Sequence, residues 1–222
     1  MMKRLLLGGS ALLAAALATA AITLGPELWA GYRFMTALDQ HYAESAAKVG
    51  PWPQIQEACT VCHGVGGQPR DGQYAALAGL PAAYISAQLQ VFASGQRPSA
   101  QMGPLAASLS AAQIDMLARY FASQPATTSE MPDPDEALAR RGQAAIAARG
   151  CASCHGETLA GGALGPRIAG QGKAYLLDQL QAFRQGHRQD PTQGMNAIAA
   201  TLADDDLQAI AHYLASQAPA SR

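Results

Sequence analysis

The chain opens with a short basic start, Met1 to Arg4, followed by an uncharged apolar run from Leu5 to Gly25. The sequence from Glu27 to Lys48 has helical periodicity, with Trp29, Phe34, Leu38 and Tyr42 loosely on one side. Gly50-Pro51-Trp52-Pro53 breaks that pattern, and Gly64 to Gly72 is rich in Gly and Pro. Helical patterns return at Ala111 to Ser123, Glu136 to Ala148 and Asp204 to Ser216. Ser110 and Ala203-Asp204 supply helix starts, with acids favourable in the first turn. Pro125 to Asp135, with its Pro, Ser, Thr and acidic residues, reads as a linker. β-branched runs are missing and Ala and Leu dominate, so the expected fold class is all-α.

The helical patterns belong to a repeat. Leu77-Ala78-Gly79, Tyr84-Ile85, Gln88-Leu89, Phe92, Gly95 and Arg97 recur 91 residues later. The later copy is Ile168-Ala169-Gly170, Tyr175-Leu176, Gln179-Leu180, Phe183, Gly186 and Arg188. Met102 and Met195, Leu109 and Leu202, and Tyr120 and Tyr213 are 93 apart, so two residues are inserted before Met195. The expected organisation is 1–25 signal peptide or membrane anchor, 26–51 connecting helix, 52–126 first domain, 127–137 linker and 138–222 second domain. Each domain has under 100 residues, marginal for a plain hydrophobic core.

Composition narrows the function. Only 14% of the 222 residues are charged, with 15 basic against 16 acidic side chains, which excludes the basic face that a nucleic-acid partner requires. Lys3, Lys48 and Lys173 are the only lysines, so a lysine-rich docking ring is absent. The N-terminal run exceeds the 7–15 residues of a normal signal core and approaches the ~20 needed to span a bilayer. Trp29, Tyr32 and Phe34 beyond it resemble an interfacial aromatic belt. Two readings stay open: a periplasmic protein that is soluble after signal cleavage, or one tethered to the inner membrane by its N-terminal helix.

All four cysteines lie in two copies of one motif, Cys59-Thr60-Val61-Cys62-His63 and Cys151-Ala152-Ser153-Cys154-His155. C-x-x-C-H is a c-type haem attachment pattern. Two thiols three residues apart can each form a thioether with one porphyrin, and the adjacent histidine offers its imidazole to the iron. A zinc ribbon would place its pairs roughly 15–20 residues apart, whereas these are 92 apart. A thioredoxin-like motif would need a βαβ context that the pattern lacks. Two covalently bound haem c groups are therefore expected.

Met102 and Met195 hold the same place in both repeats, in Gly/Pro-containing loops between helices, and are the expected second axial ligands. Met116 reads as core, while Met35 precedes the repeats and Met131 lies in the linker. His41, His187 and His212 have no repeat partner and read as surface residues. A ligand imidazole's other nitrogen usually donates to a backbone carbonyl. Pro166 is the candidate for His155; for His63, Ala75 stands at the aligned position and Pro69 is a shifted alternative. Arg97 and Arg188, or Tyr84 and Tyr175, are candidates for holding haem propionates, with simple packing on the haem edge the alternative for the tyrosines.

The motif L-A-G-x-x-x-x-Y-I-x-x-Q-L-x-x-F-x-x-G-x-R, a following methionine and the doubled attachment site resemble the cytochrome c4 family, over roughly Trp52 to Gln217. That resemblance implies two tandem class I cytochrome c domains facing each other across a pseudo-twofold relation, with propionates near the interface. It also implies electron delivery in the periplasm between redox partner proteins, often towards a haem–copper terminal oxidase. Three departures stand out. Ala75 replaces an expected proline, the first domain lacks the Gly-containing helix before its haem motif, and the N-terminal segment is long. A membrane-anchored cytochrome subunit of a dehydrogenase or oxidase complex is the alternative function. A dihaem peroxidase is disfavoured by the two repeat-matched methionines.

Overall fold

The computed structural model describes residues 2–49, 54–128 and 135–219; side chains of the first stretch are described for 18–47. The expected Gly-Pro-Trp-Pro break, Met131 and most of the linker lie outside these residues. The described residues are helical, with no strand.

Residues 1–54 and 55–222 form separate units. In the first, a single helix α1 runs Met2–Val49 through Pro26, joining what the sequence divides into an apolar run and a connecting helix. Pro26 has no N–H to donate, so one intrahelical bond is missing there. Trp29, Tyr32 and Phe34 are exposed, and Trp29 stacks on Tyr32. Among the described residues no helix is long and apolar enough to cross a membrane.

In the second unit the first half contains a 3₁₀ turn at Ile55–Cys59, α2 (Thr60–His63), α3 (Ala82–Ala93), α4 (Met102–Ala107) and α5 (Ala111–Ser123). The second half contains α6 (Glu136–Ala148), α7 (Ala152–His155), α8 (Lys173–Arg184), α9 (Gly194–Ala200) and α10 (Asp204–Ser216). α5, α6 and α10 have the bounds that the sequence predicts. Their starts show why. Ser110 and Gln113 form a reciprocal capping box, Asp135 accepts from the Leu138 N–H at 2.9 Å, and Asp204, Asp205 and Asp206 fill the first turn of α10.

Each half has its own apolar cluster. Leu80, Ile85, Leu117, Ala118 and Phe121 form the first; Ile146, Leu176, Leu202, Leu207, Ile210 and Leu214 are prominent in the second. The Leu-Ala-Gly and Ile-Ala-Gly segments are held identically. The Gly79 N–H bonds the Phe121 carbonyl and the Gly170 N–H bonds the Leu214 carbonyl, both at 2.9 Å. Both glycines have φ near +70°, open to glycine at little cost.

The halves differ at their starts. α6 packs on α10, whereas the 3₁₀ turn takes the corresponding place against α5. One expectation is corrected there: His41 and His187 are exposed, but His212 on α10 is buried, and its Nδ1 has no hydrogen-bond partner among the described residues. Its repeat counterpart Arg119 lies on the uncovered side of α5, paired with Asp115, and so misleads. Met116 is half-buried on α5, while Met35 is exposed.

Where α6 crosses α10, Gly142 lets the backbones meet. A Cβ there would overlap the Ala209 carbonyl and stand 2.7 Å from the Tyr213 Cβ. Gly142→Val is expected to destabilise the protein by about 1–3 kcal/mol through overpacking, lowering its thermal midpoint by roughly 2–12 °C. Scanning calorimetry checks this.

Candidate haem sites and the surface between them

The two C-x-x-C-H segments take the same local form. Cys59 and Cys151 each precede one short helical turn that ends on His63 or His155. The chain then reverses at Gly64 (φ +71°) and Gly156 (φ +79°). A Cβ at Gly64 would collide with the Gln68 carbonyl, and one at Gly156 would stand 2.9 Å from the Gly161 oxygen. A glycine directly after the histidine is thus a working part of both motifs, and its recurrence in the sequence is the signal for it.

The turn carries the chain to the carbonyl that holds each ring. His63 Nδ1 lies 2.8 Å from the Ala75 oxygen, and His155 Nδ1 lies 2.8 Å from the Pro166 oxygen. The Pro69 alternative is not the partner. With Nδ1 donating its hydrogen to a carbonyl, the imidazole lone pair available to a metal is that of Nε2. Burial lowers the pKa of both rings, against a raising effect of these carbonyls and, for His155, of Asp190. The rings are therefore neutral at neutral pH, the form that ligates iron.

None of the four cysteines is in a disulfide. Cys59 and Cys151 are half-buried, and burial pushes both thiols up; Cys154 is exposed. Among the described residues no group of three or more His, Cys, Asp or Glu could hold a metal ion by itself. One imidazole beside two separated thiols is a poor cage for a bare ion, but suits a macrocycle that brings its own four nitrogens.

Met102 and Met195 are half-buried in the first turns of α4 and α9 rather than in open loops. The Met102 N–H is capped by Ser99 Oγ at 3.0 Å, and the Gly194 N–H by Asp190 Oδ2 at 3.0 Å. Different caps thus set the same methionine position, and the two extra residues of the second half are absorbed before it.

Arg97, Arg188, Tyr84 and Tyr175 meet across the two halves. Arg97 donates to Gln88 at 2.6 Å, to Gln179 and, at 3.5 Å, to the Tyr175 hydroxyl. Arg188 donates to Gln179 at 2.7 Å, to Gln88 at 3.2 Å and to the Tyr84 hydroxyl at 2.9 Å. Each guanidinium thus reaches the other half's tyrosine and shares both glutamines, a pseudo-twofold arrangement. Each also lies 4.5 Å above its own half's aromatic ring, Phe92 or Phe183. Burial pushes the Tyr175 hydroxyl up, but the facing Arg97 and Arg188 pull further, so its pKa is lowered.

Among the described residues neither guanidinium has a carboxylate within ion-pair distance, although Arg188 is buried. Buried cations without a counter-anion are costly, and carboxylates carried by a bound group are the chemistry that would satisfy them. Gln88 and Gln179 belong to the repeat, but nothing in their spacing marks them as the shared acceptors.

A second contact between the halves is one-sided. Arg167, 3% exposed, donates to the Ala78 carbonyl at 3.0 Å, and the Tyr175 N–H bonds the Gly72 carbonyl at 2.8 Å. The aligned first-half residue for Arg167 is Ala76, so a polar residue facing an apolar one in the repeat is the signal that would have found it.

The cytochrome c family model matches residues 139–218. A thiosulfate dehydrogenase electron acceptor from Thiomonas intermedia is 38% identical over 177 residues, covering 74% of this chain and 81% of its own. Cytochrome c4 from Pseudomonas aeruginosa is 34% identical over 165 residues, covering 70% of this chain and 82% of its own. The crystal structure of reduced cytochrome c4 from Pseudomonas stutzeri superposes with a TM-score of 0.65 at 29% identity, over 73% of this chain and 94% of that one.

Because Arg97 and Arg188 share Gln88 and Gln179, their contributions should not add. Each Arg→Met change is expected to cost roughly 1.5–3 kcal/mol in denaturant unfolding, and the double variant at least about 0.5 kcal/mol less than the two together.

Proposed function

The chain belongs to the cytochrome c4 family of dihaem c-type cytochromes, and on that premise we propose a place for it between named redox partners. It carries two covalently bound haem c groups and is an electron-transfer protein, not an enzyme. We assign it to the periplasm, where its N-terminal segment directs it for export. There it takes electrons from a thiosulfate-oxidising dehydrogenase and passes them towards a terminal oxidase. The name of the Thiomonas relative supports the donor. The observation that carries the redox role itself is the pair of identical Nδ1–carbonyl bonds behind the two attachment motifs.

Haem, when bound, supplies a one-electron ferric/ferrous couple. In this reading Cys59 and Cys62 attach the first group and Cys151 and Cys154 the second. The Ala75 and Pro166 carbonyls fix the tautomer and direction of His63 and His155, so each offers Nε2 as a ligand. Met102 and Met195 would supply the second protein ligand of each group and so fill the positions that peroxide chemistry would need open. Such a thioether ligand together with imidazole would favour the ferrous state and raise the potential. Arg97 and Arg188, with Tyr84 and Tyr175, hold the propionates between the halves. The domains run 52–126 and 138–222.

Met102→His and Met195→His are each expected to lower their own site's potential and abolish its sulfur-to-iron charge-transfer band, read by optical titration; survival of a band after its own substitution rejects that ligand. Mixing the oxidised protein with a thiosulfate dehydrogenase and thiosulfate should reduce both centres within the enzyme's turnover time. No reduction above the enzyme-free control rejects the donor.

A further inference from the structure

The second half reaches into the histidine loop of the first through Gln171. Its Oε1 accepts the Ala76 N–H at 2.8 Å, and its Nε2 donates to the Ala76 carbonyl, also at 2.8 Å. Gln171 is 3% exposed and Ala76 2%, so water does not compete for these bonds. The Ala76 N–H belongs to the same peptide group as the Ala75 carbonyl, which accepts from His63 Nδ1. A peptide group is planar, so fixing its N–H fixes the direction of its C=O. A bond accepted from that N–H also polarises the amide and strengthens the carbonyl as an acceptor.

The second site is held by other means. Its carbonyl belongs to Pro166, whose ring restricts φ. Gly165 passes so close to His155 that a Cβ would stand 3.0 Å from Nδ1. The first half has Tyr74 and Ala75 at these positions and so has neither restriction. The repeat counterpart of Gln171 is Leu80, a buried side chain with no hydrogen-bonding group. The support therefore runs one way.

We infer that Gln171 is a positioning residue for His63, supplied by the second half in place of the missing proline. This rests on the reading of His63 as the iron ligand of the first site. A firmly held Nδ1–H makes the ligand more basic, so losing Gln171 raises the first centre's potential and leaves the second unchanged.

Gln171→Met keeps the length of the side chain and removes both hydrogen bonds. In the ¹⁵N-labelled, fully reduced holoprotein, solvent exchange of the His63 Nδ1 hydrogen is expected to quicken about tenfold while that of His155 is unchanged. The first midpoint potential rises in the same sample. Gln171→Asn keeps an uncharged amide but is one methylene too short to hold both Ala76 bonds, and is expected to change both readouts in the same direction and by less; it carries the test if the Met variant does not fold. An unchanged His63 hydrogen, or equal quickening at both histidines, overturns the inference. His63 ring protons without the upfield shift of a haem ligand overturn the ligand assignment and this inference with it.

Discussion

The hydrogen bond from a histidine Nδ1 to a backbone carbonyl is the contact around which each half is built. It orients the ring and fixes which nitrogen faces the metal, so the carbonyl must be delivered with hydrogen-bond accuracy from a loop 11 or 12 residues away. The surrounding structure serves that delivery. Gly64 and Gly156 turn the chain directly after the ring. The Leu-Ala-Gly and Ile-Ala-Gly segments just beyond the carbonyl are tied to the last turn of α5 or α10 through a glycine N–H. Those helices carry much of each apolar cluster, so core and ligand loop form one mechanical unit.

Joining two such units adds a different constraint. Arg97 and Arg188 are drawn into the contact between the halves, where their neighbours are amides, phenols and aromatic faces rather than carboxylates. Such a surface favours binding of negative charge between the halves and keeps them in one register. The pseudo-twofold symmetry ends at residues 72–78, where the second half contributes the polar side chains of Arg167 and Gln171 to its neighbour's backbone.

Much of this was legible in the sequence because duplication exposes it. The Ala- and Leu-rich pattern gives the all-α class, two C-x-x-C-H copies and a 91-residue offset give the two-domain plan, and Ser110 and Asp204 mark helix starts, whereas the Asp135 cap of α6 shows only in the folded chain. For the carbonyl partner of His63 the sequence leaves Ala75 and Pro69 open, and only the folded loop selects Ala75. The residues that were missed depend on what lies across the fold. His212 is buried on the helix that α6 packs against, whereas its counterpart Arg119 has no such helix beside it. Arg167 and Gln171 stand opposite apolar residues in the repeat, but what they bind is set by the other half's backbone, and the methionines begin helices because of caps from Ser99 and Asp190 that no periodicity reveals.

Two electron sites in one chain, each closed by a histidine and a methionine, would have a distinctive redox and ligand-binding behaviour. It is read by an optical redox titration of the purified holoprotein, repeated under carbon monoxide. Uptake of two electrons per chain is expected, with a methionine-to-iron band for each centre in the oxidised state and no carbon monoxide adduct at neutral pH. A single-electron titration, or stoichiometric carbon monoxide binding to either reduced centre, would contradict this arrangement.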